Sequence, residues 1–482
     1  MASQTRVDFG GILRPPGQLD ATTALQPYRG PLDERSAAHL LRRAGFGGTP
    51  DEVRRYAAMS VDAAVESLVR FPSTANLPQP DVYDRRAHLG ELRVPVDERR
   101  DALKEILRNE RESLRGMRLW WLNRMLTTPA PLQEKMTLFW HGHFTSYVNY
   151  AVYTYFQNQL FRYYALGNVR TLTHAVSRDP AMLIYLNNDK NVAEHPNENY
   201  ARELMELFTL GIGHYTEQDV REAARAWTGW RLNKATGVVR FAPRQHDDGS
   251  KTFLGQTGNF MGDDVVDIIF AQPQCARFLA TSLLNYFVYN DPEPELVDAV
   301  ADVMRRNNYE IAPVMSAIFR SNVFYSPRAY RALVKSPVEF VVGTYKALGI
   351  TELPDDAVGF ANRMGQILFQ PPNVAGWPGG QNWLTSGTMI VRQNFVASVA
   401  NSQTLASSSW LGQVPMQPDK ATHAIVGTLL QGDAAPASRV EVQALLSGAG
   451  TSALMMLSGE NFQQRVGAAT ALAMGMPAYQ LN

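Results

Sequence analysis

Apolar residues recur at spacings of three and four along most of this chain, the period of helices with one buried face. A first helix is predicted over Asp33 to Ala44, stopped by Gly45-Phe46-Gly47-Gly48. Thr49-Pro50-Asp51-Glu52 then opens another, with a capping oxygen at Thr49, proline at the first helical position and Glu52 at the third. The Pro- and Asp-rich stretch 73–96 reads as loop. A long charged helix follows from Asp97 to Thr127, its charges read as a solvated face, and it ends in Met117, Leu119, Trp120, Trp121 and Leu122. Pro129 and Pro131 interrupt the chain, and a second helix is expected over Leu132 to Trp140. Tyr147 to Tyr164 is aromatic at helical spacing, which predicts a core helix. Asp179-Pro180 starts another helix, and 187–197 is a polar loop.

Residues 197–211 read as one helix, with Tyr200, Leu204, Leu207 and Phe208 on its apolar face and Gly211 as its stop. Thr216-Glu217-Gln218-Asp219 opens the next. The period changes at 230–242, where Trp230-Arg231-Leu232 and Val238-Val239-Arg240-Phe241 predict a β-hairpin. A turn-rich stretch, 245–262, separates it from further helical pattern over most of 263–350, which includes the start signal Ser336-Pro337-Val338-Glu339. A Pro-, Gly- and Trp-rich loop spans 370–386, and helical pattern with small residues closes the chain. The expected fold is mainly α, a large multi-helix globular domain with a small β-hairpin insertion. Residues 1–31 would form an irregular arm, 32–400 the main helical domain, and 401–482 a helical segment packed on the same body.

Composition narrows this picture. With 46 basic and 46 acidic residues among 482, no net charge points to nucleic acid or an anionic membrane. The single cysteine, Cys275, excludes an intrachain disulfide and a multi-cysteine zinc site. No apolar run reaches the roughly 20 residues that cross a bilayer. Residues 1–28 lack the basic start and apolar stretch of a secretory signal.

Chemistry concentrates in two polar runs. The first is Trp140-His141-Gly142-His143-Phe144. Residues two apart on a regular helix point about 200° apart, so His141 and His143 can share an ion only across a helix end or on a strand. Gly142 and the turn formers after Phe144 suggest such an end. The pair reads either as two metal ligands, or ligand and base, or as two histidines hydrogen-bonded in an aromatic core. The second run places Asn199, Arg202, Glu203 and Glu206 on one helical face. That face is either a solvated ion-pair lattice or a polar wall in which Glu203 or Glu206 acts as ligand or base. It lacks the spacing of an established zinc motif.

Two further segments stand out. In His246-Asp247-Asp248-Gly249-Ser250-Lys251 an acceptor beside the imidazole can fix its tautomer, and Lys251 can meet an anion; a turn with a chance histidine is the alternative. In the loop from Gln370 to Trp383, Trp377 and Trp383 either stack on a sugar or another flat group or pack the loop onto the body. There is no phosphate loop, nucleophile elbow or dinucleotide fingerprint.

Together these segments resemble the bacterial domain-of-unknown-function 1800 family. The resemblance is carried by Leu40 to Gly47, Phe139 to Phe144, Asn197 to Gly211 with Tyr215-Thr216-Glu217, and Ala226 to Trp230. It continues through His246-Asp247 with Lys251, Ser336 to Phe340, and Pro371 to Trp377 through Arg392. Gly142 departs from it, since the family is expected to carry the bulkier Asn there. The resemblance implies an exported protein, periplasmic or secreted, encoded beside a partner of the domain-of-unknown-function 1501 family, but no assigned activity. The expected function is a metal-assisted hydrolase or oxidase. A transition metal would be held by His141, His143 and His246. Glu203, Glu206, Arg202, Asp247 and Lys251 would carry the catalysis, and Asn199, Trp377, Trp383 and Arg392 would bind substrate. The alternative is a non-catalytic binding or assembly protein in which the same polar groups fix the fold.

Overall fold

A computed structural model of the chain describes residues 21–92, 95–406, 408–449 and 462–482. Most of the expected N-terminal arm, residues 1–20, lies outside that range. The fold is mainly α, with two small antiparallel hairpins. Start signals legible in the sequence form as expected. Thr49 and Glu52 exchange side-chain and backbone hydrogen bonds at 3.1 and 2.9 Å. Ser336 and Glu339 make the same reciprocal box, and Asp179 accepts from the Met182 N–H. Each satisfies N–H groups that the first turn leaves without helical partners.

Two apolar cores share the helix Pro131–His143. Its Leu132, Met136, Phe139 and Trp140 face a core drawn from residues between Ala24 and Ala329. Its Leu138 faces a second core, built from the end of the long helix Val96–Thr127 and from residues between Val338 and Tyr479. The shared helix is anchored near its first turn by Glu134, which is fully buried. Glu134 accepts from Arg124 Nε at 2.5 Å, Arg162 Nε at 2.7 Å, Arg162 Nη2 at 2.9 Å and Trp121 Nε1 at 2.8 Å.

Three elements differ from the sequence expectation. The helix expected to stop at Trp140 runs on to His143, and the Phe144 N–H still donates to the Trp140 carbonyl at 2.8 Å. Gly142 therefore lies inside the last turn and does not end it. The segment 197–211 is α-helical only over Asn199–Glu203, then widens into a π-helix over Leu204–Thr209. Thr209 Oγ1 donates to the Leu204 carbonyl in this wider turn. The expected hairpin is present, with strands β1 (Trp230–Asn233) and β2 (Val238–Phe241) paired Trp230 to Phe241 through Asn233 to Val238. The turn-rich stretch after it holds a second hairpin, β3 (Lys251–Phe253) with β4 (Gln256–Gly258). Its strands of three residues each are too short to show a period.

Candidate functional site

The paired histidines close the shared helix, and their rings diverge as helical geometry requires. His141 is buried, and its Nε2 accepts the Phe369 N–H at 3.1 Å. Its ring lies edge-on to Trp121 and Trp377, with centroids 5.6 and 5.4 Å away. His143 points elsewhere: its Nε2–H donates to the Phe208 carbonyl at 2.9 Å, beneath the stacked ring of Phe139. The two imidazoles thus hold opposite tautomers, inferred from their partners. Burial keeps both neutral, pushing His141 down to about 3 and His143 down to about 4.

The loop after Phe369 closes over this helix end. Gly376 has φ +80°, and a Cβ there would stand 2.6 Å from the Gly142 carbonyl oxygen. The loop backbone can approach so closely only as glycine. Gly142 itself has room, since a Cβ there would meet only Trp377 at 3.9 Å. The demand for glycine therefore lies on the loop, and the Gly142 position tolerates the larger residue expected from the family resemblance.

Between loop and helix lies a cleft of about 560 Å³. Gly142 and His143 line it from one side, and Trp377, Gln381, Asn382 and Trp383 from the loop. The helix Pro273–Phe287 supplies Ser282, Asn285 and Tyr286. These three lie at i, i+3 and i+4 on one face of a helix that also carries Gln274, Arg277 and Thr281, so nothing in the sequence sets them apart. Asn290 and Gln366 add further amides. The charged residues on its wall are Asp291 and Glu339, and Glu339 is held by the buried ammonium of Lys135.

The remaining predicted residues lie elsewhere. Arg202 reaches outward to a bidentate pair with Glu217 at 2.7 and 2.8 Å and to Glu198 at 3.1 Å, and hydrogen bonding to Glu217 raises its pKa. Asn199 beside it is exposed. Glu203 is half-buried; desolvation first, and then the charge of Glu206, raise its pKa. Glu206 accepts from the Tyr215 hydroxyl at 2.7 Å. His246 Nδ1–H donates to the Thr228 carbonyl at 2.9 Å, and its buried Nε2 has no partner among the described residues. Asp247 is clamped by Arg225 at 2.7 and 3.1 Å, which lowers its pKa.

Lys251 is buried, and its ammonium donates to the carbonyls of Asp247 and Gly249 at 2.5 and 2.9 Å, so it fastens a turn. Arg392 is fully buried: it donates to the Lys335 carbonyl at 2.7 Å and to Gln480 at 3.1 Å, lies over Phe340, and is pushed down to about 9 by burial. Of the predicted residues, the structure gathers His143, Trp377 and Trp383 into one cleft, with His141 just behind Trp377.

A shared metal does not suit these donors. Each paired histidine has its Nε2 engaged by backbone in a different direction. Among the described residues, no group of three His, Cys, Asp or Glu side chains is arranged to hold an ion. Nor is any described helix long and apolar enough to cross a membrane.

The architecture defines a large helical protein with an aromatic- and amide-lined cleft at the junction of its two cores. The chain belongs to the family described as "Protein of unknown function (DUF1800)", whose sequence profile matches residues 39–481. Comparisons with curated proteins and with solved structures return no match.

Proposed function

We propose that this protein is a binding or assembly component whose cleft accepts an uncharged, polyhydroxylated ligand, a segment of neutral carbohydrate. One observation carries the reading. The half-buried Trp377, with Trp383 buried behind at 5% exposure, lines a cleft of about 560 Å³ together with Ser282, Asn285, Asn290, Gln366, Gln381 and Asn382. Aromatic faces take the C–H faces of sugar rings, and side-chain amides match hydroxyls as donor and acceptor at once. Beside them His143 is a neutral imidazole whose Nε2–H is already committed. The charged wall residues are two carboxylates, which disfavours an anionic ligand.

Calorimetry against neutral oligosaccharides tests the proposal. Trp377→Ala and Asn382→Ala, at half-buried and exposed positions, should each weaken binding at least tenfold while leaving the thermal midpoint of the free protein within a few degrees. Failure of every neutral glycan to bind, with the variants folded, would sink the reading. Assembly with a domain-of-unknown-function 1501 partner belongs to the same proposal, and co-expression followed by co-purification tests it.

A metal-assisted hydrolase or oxidase would require His141 and His143 to leave Phe369 and Phe208 and turn toward one ion with Glu203. Metal analysis of protein purified without a histidine tag separates the two readings. A near-stoichiometric transition metal, lost in His141→Ala/His143→Ala, would restore the enzyme.

A further inference from the structure

Buried cations outnumber carboxylates beneath the candidate cleft. Lys135, Arg42, Arg43, Arg331, Lys335 and Arg392 are each no more than 8% exposed. Among the described residues, two side-chain carboxylates face this group. Glu339 is taken by Lys135, and Asp433 pairs with Arg331 and Arg35. Arg43 and Arg392 are partly satisfied by backbone carbonyls: Arg43 by those of Val288 and Ala329, Arg392 by that of Lys335. Two cations are left wanting. Arg42 uses Nη1 on Gln431 at 2.7 Å and lies 5.8 Å over the Tyr330 ring, whose hydroxyl is its nearest further acceptor, but among the described residues its buried Nε and Nη2 have no partner at hydrogen-bond distance. Among the described residues the Lys335 ammonium has no hydrogen-bond or ion-pair partner; it lies 3.7 Å over the ring of Tyr479. Burying unpaired charge is costly enough that proteins supply a counter-charge or neutralise the group.

Arg42 and Lys335 line the same small cavity, about 40 Å³, with Gln431, Thr428 and Tyr479. A cavity needs only about 10–15 Å³ to hold a water, so this one has room for a small ion. We propose that it is a structural anion site, in which a small inorganic anion lies between the Arg42 guanidinium and the Lys335 ammonium. The anion would accept from the free Arg42 Nε or Nη2 and from Lys335 Nζ. Arg331 and Arg392 act on Lys335 at longer range, and their charges, after desolvation and that of Arg42, hold its pKa well below the usual lysine range. Desolvation disfavours any buried charge, but the positive charges of Arg42, Arg331 and Arg392, which also disfavour a proton on Lys335, favour an anion beside it. Glu339 and Asn482 line both this cavity and the cleft, so the ion would brace the floor of the cleft. The proposal does not depend on what the cleft binds.

Thermal unfolding of the full chain at fixed ionic strength tests it, with sodium methanesulfonate replaced stepwise by sodium bromide or by phosphate. The expected result is a saturable rise in midpoint with at least one of the two anions. At a concentration one hundred times the dissociation constant, the folding equilibrium gains roughly a hundredfold. Lys335→Met should abolish the rise and be the more stable form in methanesulfonate, having lost an unpaired charge. A wild type indifferent to both anions, or a variant that responds as the wild type does, overturns the site. Should Lys335→Met fail to fold, bromide anomalous scattering from wild-type crystals decides. A bromide peak between Lys335 and Arg42 supports the proposal; its absence there, with no phosphate density at that place in crystals grown in phosphate, refutes it.

Discussion

Replacing Glu134 by Gln removes one charge from the first turn of the shared helix and leaves its shape almost unchanged. Burial alone would push this carboxyl up; Arg162 and then Arg124 outweigh it and hold it below the ordinary 4.5. Glu134→Gln keeps an acceptor for Trp121 but leaves two guanidiniums, each side chain at most 5% exposed, facing an amide. Breaking a buried pair in this way costs about 3–5 kcal/mol, against about 0–1 for an exposed pair. The larger figure applies here because every charge in the group is buried. Urea unfolding followed by tryptophan fluorescence reads the loss directly, since Trp121 donates to the substituted group.

The sign with pH follows from the depressed pKa. The ionised group stabilises the fold fully above 4.5, and that contribution is lost as pH falls through its folded value. The gap between wild type and Glu134→Gln should therefore be complete at pH 7 and shrink below pH 4.5. A loss under about 1 kcal/mol at pH 7, or a gap that widens in acid, would refute the assignment of the triad as a buried anchor.

Asp179 should behave in the opposite sense. Burial pushes it up to about 7 from 3.8, so the folded state binds its proton more tightly and wild-type stability falls across that interval as pH rises. Asp179→Asn should remove this fall, so that thermal midpoints show the variant gaining on the wild type between pH 4 and 7 and level beyond. Gly376→Ala forces a Cβ against the Gly142 carbonyl at φ +80°, and should cost about 1–3 kcal/mol and loosen the cleft loop, read as faster hydrogen exchange at Phe369. Lys251→Met should lower stability by about 1–3 kcal/mol, because two carbonyls lose their donor, yet leave calorimetric binding in the cleft unchanged.

The sequence showed most of the fold through signals that act within a few residues. Thr49 with Glu52 and Ser336 with Glu339 announce helix starts because capping is satisfied locally, and the alternation at 230–242 announces its hairpin. What stayed hidden depended on distant partners. Nothing near Gly142 reveals that it lies under Gly376 rather than ending a helix. Spacing left the face containing Arg202 open between a solvated ion-pair lattice and an inward polar wall, and Glu217, beyond the π-helical turn, draws Arg202 outward. His246 and Lys251 sit in suggestive company, but their hydrogen bonds go to the Thr228, Asp247 and Gly249 backbone. The cleft was half legible: its tryptophans stand out by composition, while Ser282, Asn285 and Tyr286 are ordinary residues made notable only by what faces them.

The hydrogen bond from His143 to the Phe208 carbonyl has a consequence for genetics. Phe208 lies in the last turn of the π-helix, where carbonyls lack partners from their own helix, so His143 acts as a cap supplied from 65 residues upstream. An alanine at this position would uncap that helix and unseat the run Leu204 to Thr209 whether or not any ligand meets the imidazole. Alanine scanning would therefore score His143 as indispensable for a reason unrelated to chemistry. The informative exchange is His143→Gln, which can keep an N–H for Phe208 while discarding the ring. Recovery of function in that variant would mark the histidine as scaffold, and persistent loss in a well-folded variant would mark the ring itself as the working part.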